Sequence, residues 1–266
     1  MEILDALRKR KATFLADPEW RDVCSKTGPQ DAYWGIHDII VDLPSIFEET
    51  DVLTANTPPS EMLALGQSTF KRCSIIVKKL HTWYEELRSC SPGPLYWAVA
   101  SSVSNPVDKG GLGKIFPFAL EFSSLHVAKL HMFYWSIHIL IFKNMLGLYR
   151  LMKSAWTALS HLERSQEIES DLSSHTLDFD EGSQTAAADK LARYICQSME
   201  YCHRMEMGTL GPQICTFPKW AARQHFLDTP GHERELAWCS HLNDMKAPGF
   251  RFGMQMMSFS DTVASQ

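Results

Sequence analysis

None of the seven cysteines (Cys24, Cys73, Cys90, Cys196, Cys202, Cys215 and Cys239) stands in a Cys-x-x-Cys pair, and their number is odd. A zinc module built on that spacing is excluded, and a disulfide framework has no even set to draw on. The opening segment, MEILDALRKRK, is charged and lacks the apolar run of a secretory leader. Reduced thiols are therefore expected, in the nucleus or cytoplasm. Positive charge is also short, since 26 Lys and Arg against 31 Asp and Glu leave a net charge of −5. Phosphate contacts need a basic surplus on one face, so no direct nucleic-acid binding is expected. Long apolar runs are missing too. LHMFYWSIHILIF at 130–142 has 13 residues between Lys129 and Lys143, where a membrane span needs roughly 20. It reads as a buried core helix, with no membrane partner. GGLGK at 110–114 lacks both the phosphate-loop spacing and the Ser or Thr after its lysine, and no G-x-S-x-G elbow occurs. No cofactor is expected.

What the chain does hold is apolar periodicity. Leu63, Gly66, Phe70, Cys73, Val77, Leu80, Tyr84 and Leu87 recur at steps of three and four, with Trp83 and Ile76 widening the stripe. A stripe this wide predicts one helix of a bundle packed on its own domain rather than a coiled-coil seam. From Asp31 a second periodic stretch runs to about Leu53 with Pro44 inside it, which predicts a kink or two helices meeting. SPGP and NPVDKGGLGK make 91–122 a loop with short structured pieces. Ser123 or Ser124 is a plausible N-cap for an apolar helix to about Leu162, and 185–207 resumes a helix that Gly208 stops. A helix around 218–227 and another over about 230–246 complete the reading. The predicted fold is all-α, a multi-helix bundle with a long central apolar helix and no significant sheet. Its parts are 1–164, an acidic Ser/Thr-rich linker over 165–184, and 185–266 packing on the first.

Chemistry-bearing patterns are few. HEREL at 232–236 begins like a zinc-protease helix, but Leu236 stands where the second histidine belongs. No metal ligand set follows from spacing alone. His131, Tyr134 and His138 share one face of the apolar helix, with Trp135 beside them. In a pocket, two imidazoles and a phenol could hold a polar ligand or move protons. In a packed core they would be amphipathic residues bonded locally. No catalytic residue is assigned beyond these candidates. Glu200, His203 and Glu206 form a second stripe, which reads as a solvated helix face.

The order of segments resembles the middle, regulatory region of fungal zinc-cluster transcription factors. FLADPEWRDV (14–23) and DLPSIFEETDVL (42–53) resemble its PEWR turn and the helix that follows. HTWYEELR (81–88) is similar to its tryptophan-bearing long helix, and FPFALEFSSLHVAKLHMFYW (116–135) to the entry into its central helix. ICQSMEYCHRMEMGTLGPQICTFPKWAARQHF (195–226) is the most specific piece, and ERELAWCSHL (233–242) resembles the last helix. The resemblance implies an all-α regulatory domain of fungal origin, working in the nucleus through a protein partner, a homodimer or a small-molecule effector. The family's six-cysteine zinc cluster is missing from the sequence. The chain is expected to be either a truncated regulator or a stand-alone relative. The second expectation is a small-molecule enzyme, an isomerase or cyclase of natural-product chemistry, or a carrier, built on His131, Tyr134 and His138.

Overall fold

Helix α1, Glu2–Lys9, buries Ile3, Ala6 and Leu7 at steps of three and one, with acids in its first turn and bases in its last. That charge order complements the helix dipole. It ends on Arg10 at φ +53, whose neighbours close the helix through Arg10 N–H to Leu7 O and Lys11 N–H to Ala6 O. A left-handed non-glycine residue needs compensation from its surroundings. Arg10 has it: the guanidinium grips both carboxylate oxygens of Asp51, donates to Asn144 Oδ1 at 2.8 Å and lies over the Phe47 ring. Asn144, itself buried, passes the network on to Thr50 Oγ1 at 3.1 Å and to Cys73 Sγ. Burial pushes the Cys73 thiol up to about 11.

The computed structural model describes residues 2–27, 31–109, 113–159 and 179–242. The chain divides into two units, each drawn from two stretches: 1–89 with 141–185, and 90–140 with 186–266. Consecutive parts along the sequence do not anticipate this interleaving. Of the linker expected at 165–184, residues 165–178 lie outside the described residues.

In the first unit α1 is followed by α2 (Pro18–Thr27), α3 (Ala32–Ile40), α4 (Leu43–Val52) and α5 (Pro59–Ser89). Pro44 sits in the first turn of α4, where its missing N–H costs nothing, so the periodic stretch is two helices. Helix α5 buries Leu63, Gly66, Phe70, Cys73, Leu80 and Trp83, as its stripe predicts. The Trp83 indole donates to Ala32 O at 3.0 Å and so pins α3 to α5.

In the second unit a two-stranded antiparallel sheet pairs β1 (Tyr96–Ala100) with β2 (Phe118–Phe122), Tyr96 opposite Phe122. Helix α6, Leu125–Ala158, follows, capped by Ser124 Oγ on the Val127 amide at 3.2 Å. Its residues to Leu140 belong to this unit and the rest to the first. The helix is longer than its apolar stretch and passes the length and composition test for a membrane span, yet 72% of its most apolar window is buried within the protein. Burial of that kind marks a core helix. Helices α7 (Glu181–Cys202), α8 (Leu210–Asp228) and α9 (Glu233–Ser240) follow among the described residues. Apart from the small sheet, the described residues form an all-α bundle with a long central apolar helix.

Candidate functional site

His131, Tyr134, Trp135 and His138 are all buried, His131 completely. Helical spacing places them on one side of α6, but their rings separate into two pairs. Tyr134 stacks on His138 at 4.2 Å between centroids, and His131 meets Trp135 at 5.5 Å. Tyr96 from β1 packs edge-on against both His131 and Trp135, and Phe122 from β2 lies against the same two rings. Each histidine donates Nδ1–H to the carbonyl one turn back, His131 to Val127 at 2.9 Å and His138 to Tyr134 at 3.0 Å. Burial drives His131 down to about 4, so the ring is neutral at pH 7. An imidazole this hard to protonate is poorly matched to acid–base work near neutrality.

The polar stripe expected at Glu200, His203 and Glu206 does not stay on one helix, because α7 ends at Cys202 and Glu206 lies in a short 3-10 turn over Met205–Met207. Glu206 is exposed, but His203 is buried, and burial lowers it to about 4 although Nδ1–H donates to Met199 O at 2.8 Å. Glu200 is half-buried and accepts from Ser101 Oγ at 2.8 Å, Ser102 Oγ at 2.5 Å and Ser102 N–H at 3.0 Å. Burial alone would raise its carboxyl, and the donors from Ser102, Ser101 and Val103 outweigh that and hold it below the ordinary value. Glu200 therefore fastens the loop after β1 to α7. Beside it a shallow cleft, about 290 Å³ of empty space with open solvent included, is lined by Ser101, Phe116, Cys196, Glu200 and Trp238. None of the four residues of the α6 cluster lines it.

A third constellation joins three elements. Asp189 and Arg193 stand one turn apart on α7, and His232 and Glu235 one turn apart at the start of α9. The two pairs meet face to face. His232 Nε2 lies 3.0 Å from Asp189 Oδ1, and Arg193 Nη2 donates to Glu235 Oε1 at 2.5 Å. His225, near the end of α8, brings Nε2 to 2.5 Å from the same Asp189 oxygen. The turn between α8 and α9 makes this possible, because Gly231 at φ +88 takes a conformation that other residues rarely adopt. His225, His232 and Glu235 are buried, while the Asp189 side chain keeps 26% of its surface exposed. Burial lowers the His225 ring below its usual value, against the pull of Asp189. One ligand atom from each of Asp189, His225 and His232 lies within 4.8 Å of the others.

The spacing of HEREL offers a histidine and a carboxylate in search of a second histidine four residues later. The structure supplies it from the preceding helix instead, together with Asp189 from α7. The HEREL pattern marks His232 and Glu233, whereas the carboxylate beside the cluster is Glu235, so the cluster was legible only through the fold. No family model matches the chain, and no match was found among curated proteins or solved structures.

Proposed function

We propose that the chain is a helical regulatory module that acts through contact with a protein partner, akin to the regulatory region of fungal zinc-cluster transcription factors and without base-reading of its own. The observation that carries this reading is the packing of His131, Tyr134, Trp135 and His138. All four rings are buried, and Nδ1–H of both His131 and His138 is bonded to the helix that bears it, as core side chains are satisfied. An exposed aromatic pair supports it from the first unit. Phe14, in the short 3-10 turn before α2, and Trp20, in the first turn of α2, meet edge-to-face at 5.3 Å, and both remain exposed, as does Val23. Aromatic side chains left in solvent are characteristic of contact surfaces.

Tethering tests the proposal. The whole chain fused to an unrelated DNA-binding module in a fungal host should change reporter output severalfold relative to that module alone. Phe14→Ser with Trp20→Ser should abolish the change while the melting curve stays that of the parent. A flat reporter, combined with a small molecule retained in native mass spectrometry, would replace this reading with the enzyme or carrier.

A further inference from the structure

We propose that Asp189, His225 and His232 form a binding site for a divalent transition-metal ion of the zinc type, with Glu235 and Arg193 as its supporting shell. The donor set is right in kind: two neutral imidazole nitrogens and one carboxylate oxygen. It is right in size as well. Metal–ligand bonds of about 2.0–2.2 Å put tetrahedral ligands about 3.3–3.5 Å apart. The present separations of 2.5 and 3.0 Å from Asp189 Oδ1 need to open by less than about 1 Å, a side-chain adjustment.

Two further observations point to a cation. The first is charge. Asp189 and Glu235 bring two negative charges to the cluster, Arg193 offsets one at Glu235, and Asp228 adds its own influence on His225. Asp189 Oδ1 faces two imidazole nitrogens, and among the described residues no Lys or Arg is bonded to it. The second is the orphan atom of His232. Its Nδ1 is buried without a hydrogen-bond partner among the described residues, 3.8 Å from Glu235 Oε2. With its hydrogen on Nε2, where it would donate to Asp189 Oδ1 3.0 Å away, the ring would turn the bare Nδ1 lone pair toward a carboxylate. Metal on Nε2 would place the hydrogen on Nδ1 instead, on the side of Glu235 Oε2 3.8 Å away. A carboxylate behind a metal-bound imidazole is how such rings are oriented and made more basic. The Asp189 side chain keeps 26% of its surface exposed, so an ion held there would be within reach of solvent for a fourth ligand.

The test uses the full chain, stripped with EDTA and titrated with ZnCl2 by calorimetry and with CoCl2 by visible absorption. One equivalent should bind, raise the melting temperature and give the d–d bands of four- or five-coordinate cobalt. The Cys196 and Cys239 thiols lie 3.7 Å apart and are the competing ligands, so a sulfur-to-cobalt charge-transfer band would move the metal there and overturn the assignment. Asp189→Asn, which keeps the side chain's shape, and His232→Gln should each abolish the cobalt bands. Glu235→Gln should weaken binding about 10- to 100-fold while leaving stoichiometry unchanged. His126→Gln, an exposed residue in the first turn of α6, is the control and should bind like the parent. Absence of a one-to-one isotherm in the parent chain, or cobalt bands that survive Asp189→Asn with His232→Gln, would sink the proposal.

Discussion

Urea denaturation of the chain in EDTA is expected to show a steep loss of stability between pH 6.5 and pH 4, beginning above the range in which carboxylates titrate. Two buried rings in the second unit carry most of it, and His225, also lowered by burial, adds to it. His131 and His203 are both pushed down by burial from 6.5 to about 4. A lowered histidine is held neutral in the folded state, while the same residue takes a proton in the unfolded chain below pH 6.5. The unfolded state thus binds more protons throughout that window, and stability rises with pH across it. The contribution is complete above pH 6.5 and lost as pH falls to about 4. Each ring is worth about 3 kcal/mol on this reckoning. Two rings would remove a large share of the 5–15 kcal/mol that a folded protein typically has. Glu200, held below its ordinary value, adds a loss of the same sign at lower pH, as its carboxylate protonates. EDTA keeps any ion at Asp189, His225 and His232 from contributing. His131→Gln with His203→Gln should flatten the curve between pH 6.5 and 4.5 even though both variants start from lower stability at pH 7. A parent chain as stable at pH 5 as at pH 7 would show that one or both rings are protonated in the folded state.

Those two histidines also mark the limit of what periodicity can report. The stripe of α5 was legible because its apolar residues recur on one side and its lysines fall off it, which is the signature of a helix with one dry face. The break at Pro44 was legible because proline cannot sit in a helix interior without losing a backbone bond. The i, i+3 spacing of Glu200 and His203 states that they share a face, and says nothing about whether that face is wet. Polar composition favoured the wet reading. Met199, Tyr201, Cys202 and His203 are nevertheless all buried, so the end of α7 is covered on most sides. The hairpin was hidden for a different reason. YWAVA and FALEF are five-residue strands whose pairing spans the turn-rich 101–117, and the burial of β1 does not alternate cleanly along the strand. Short strands without alternation carry little local signal.

The Asp189, His225 and His232 group was beyond any local rule. Its ligands come from α7, from α8 and from the turn into α9, and the closest contact spans 36 residues. Sequence spacing finds metal sites when two ligands share a helix face, as in the motif that HEREL fails to complete. Here no two of the three lie within one or two turns of a single helix. What brings them together is the sharp turn at Gly231 and the packing of α9 against α8, neither of which is written in the identities of the ligands. The α6 cluster is the reverse case. Its four residues are close in sequence and share a helix side, and the fold sends them into a core.

Gly211→Ala is expected to destabilise the second unit by about 3 kcal/mol or more, at the upper end of what overpacking does. The residue lies in the first turn of α8. A Cβ there would stand 1.9 Å from Cys202 O, 2.8 Å from Met207 Cβ and 3.0 Å from Cys202 C. Two of those three atoms are backbone at the end of α7, and backbone cannot rotate out of the way as a side chain does. The end of α7 and the start of α8 would have to move apart, disturbing the Cys202, Cys215 and Met132 packing beneath them. Helix propensity works in the other direction, since alanine is favoured over glycine by about 1 kcal/mol in a helix interior. Two further glycines isolate that term. Gly147 is exposed on α6 with nothing within 4 Å of its Cβ position, so Gly147→Ala should stabilise by about 0.5–1 kcal/mol. At Gly66 the obstruction is Met152, Cγ at 2.7 Å and Sδ at 2.9 Å. A methionine side chain can turn aside, so Gly66→Ala should fall within about 1 kcal/mol of the parent, gain and clash nearly cancelling. Urea midpoints at pH 7.5, compared at constant slope, give all three values. The order Gly147→Ala above Gly66→Ala above Gly211→Ala is the expected result. A Gly211→Ala protein within 1 kcal/mol of the parent would mean that the helix ends do not approach as closely as the 1.9 Å contact requires.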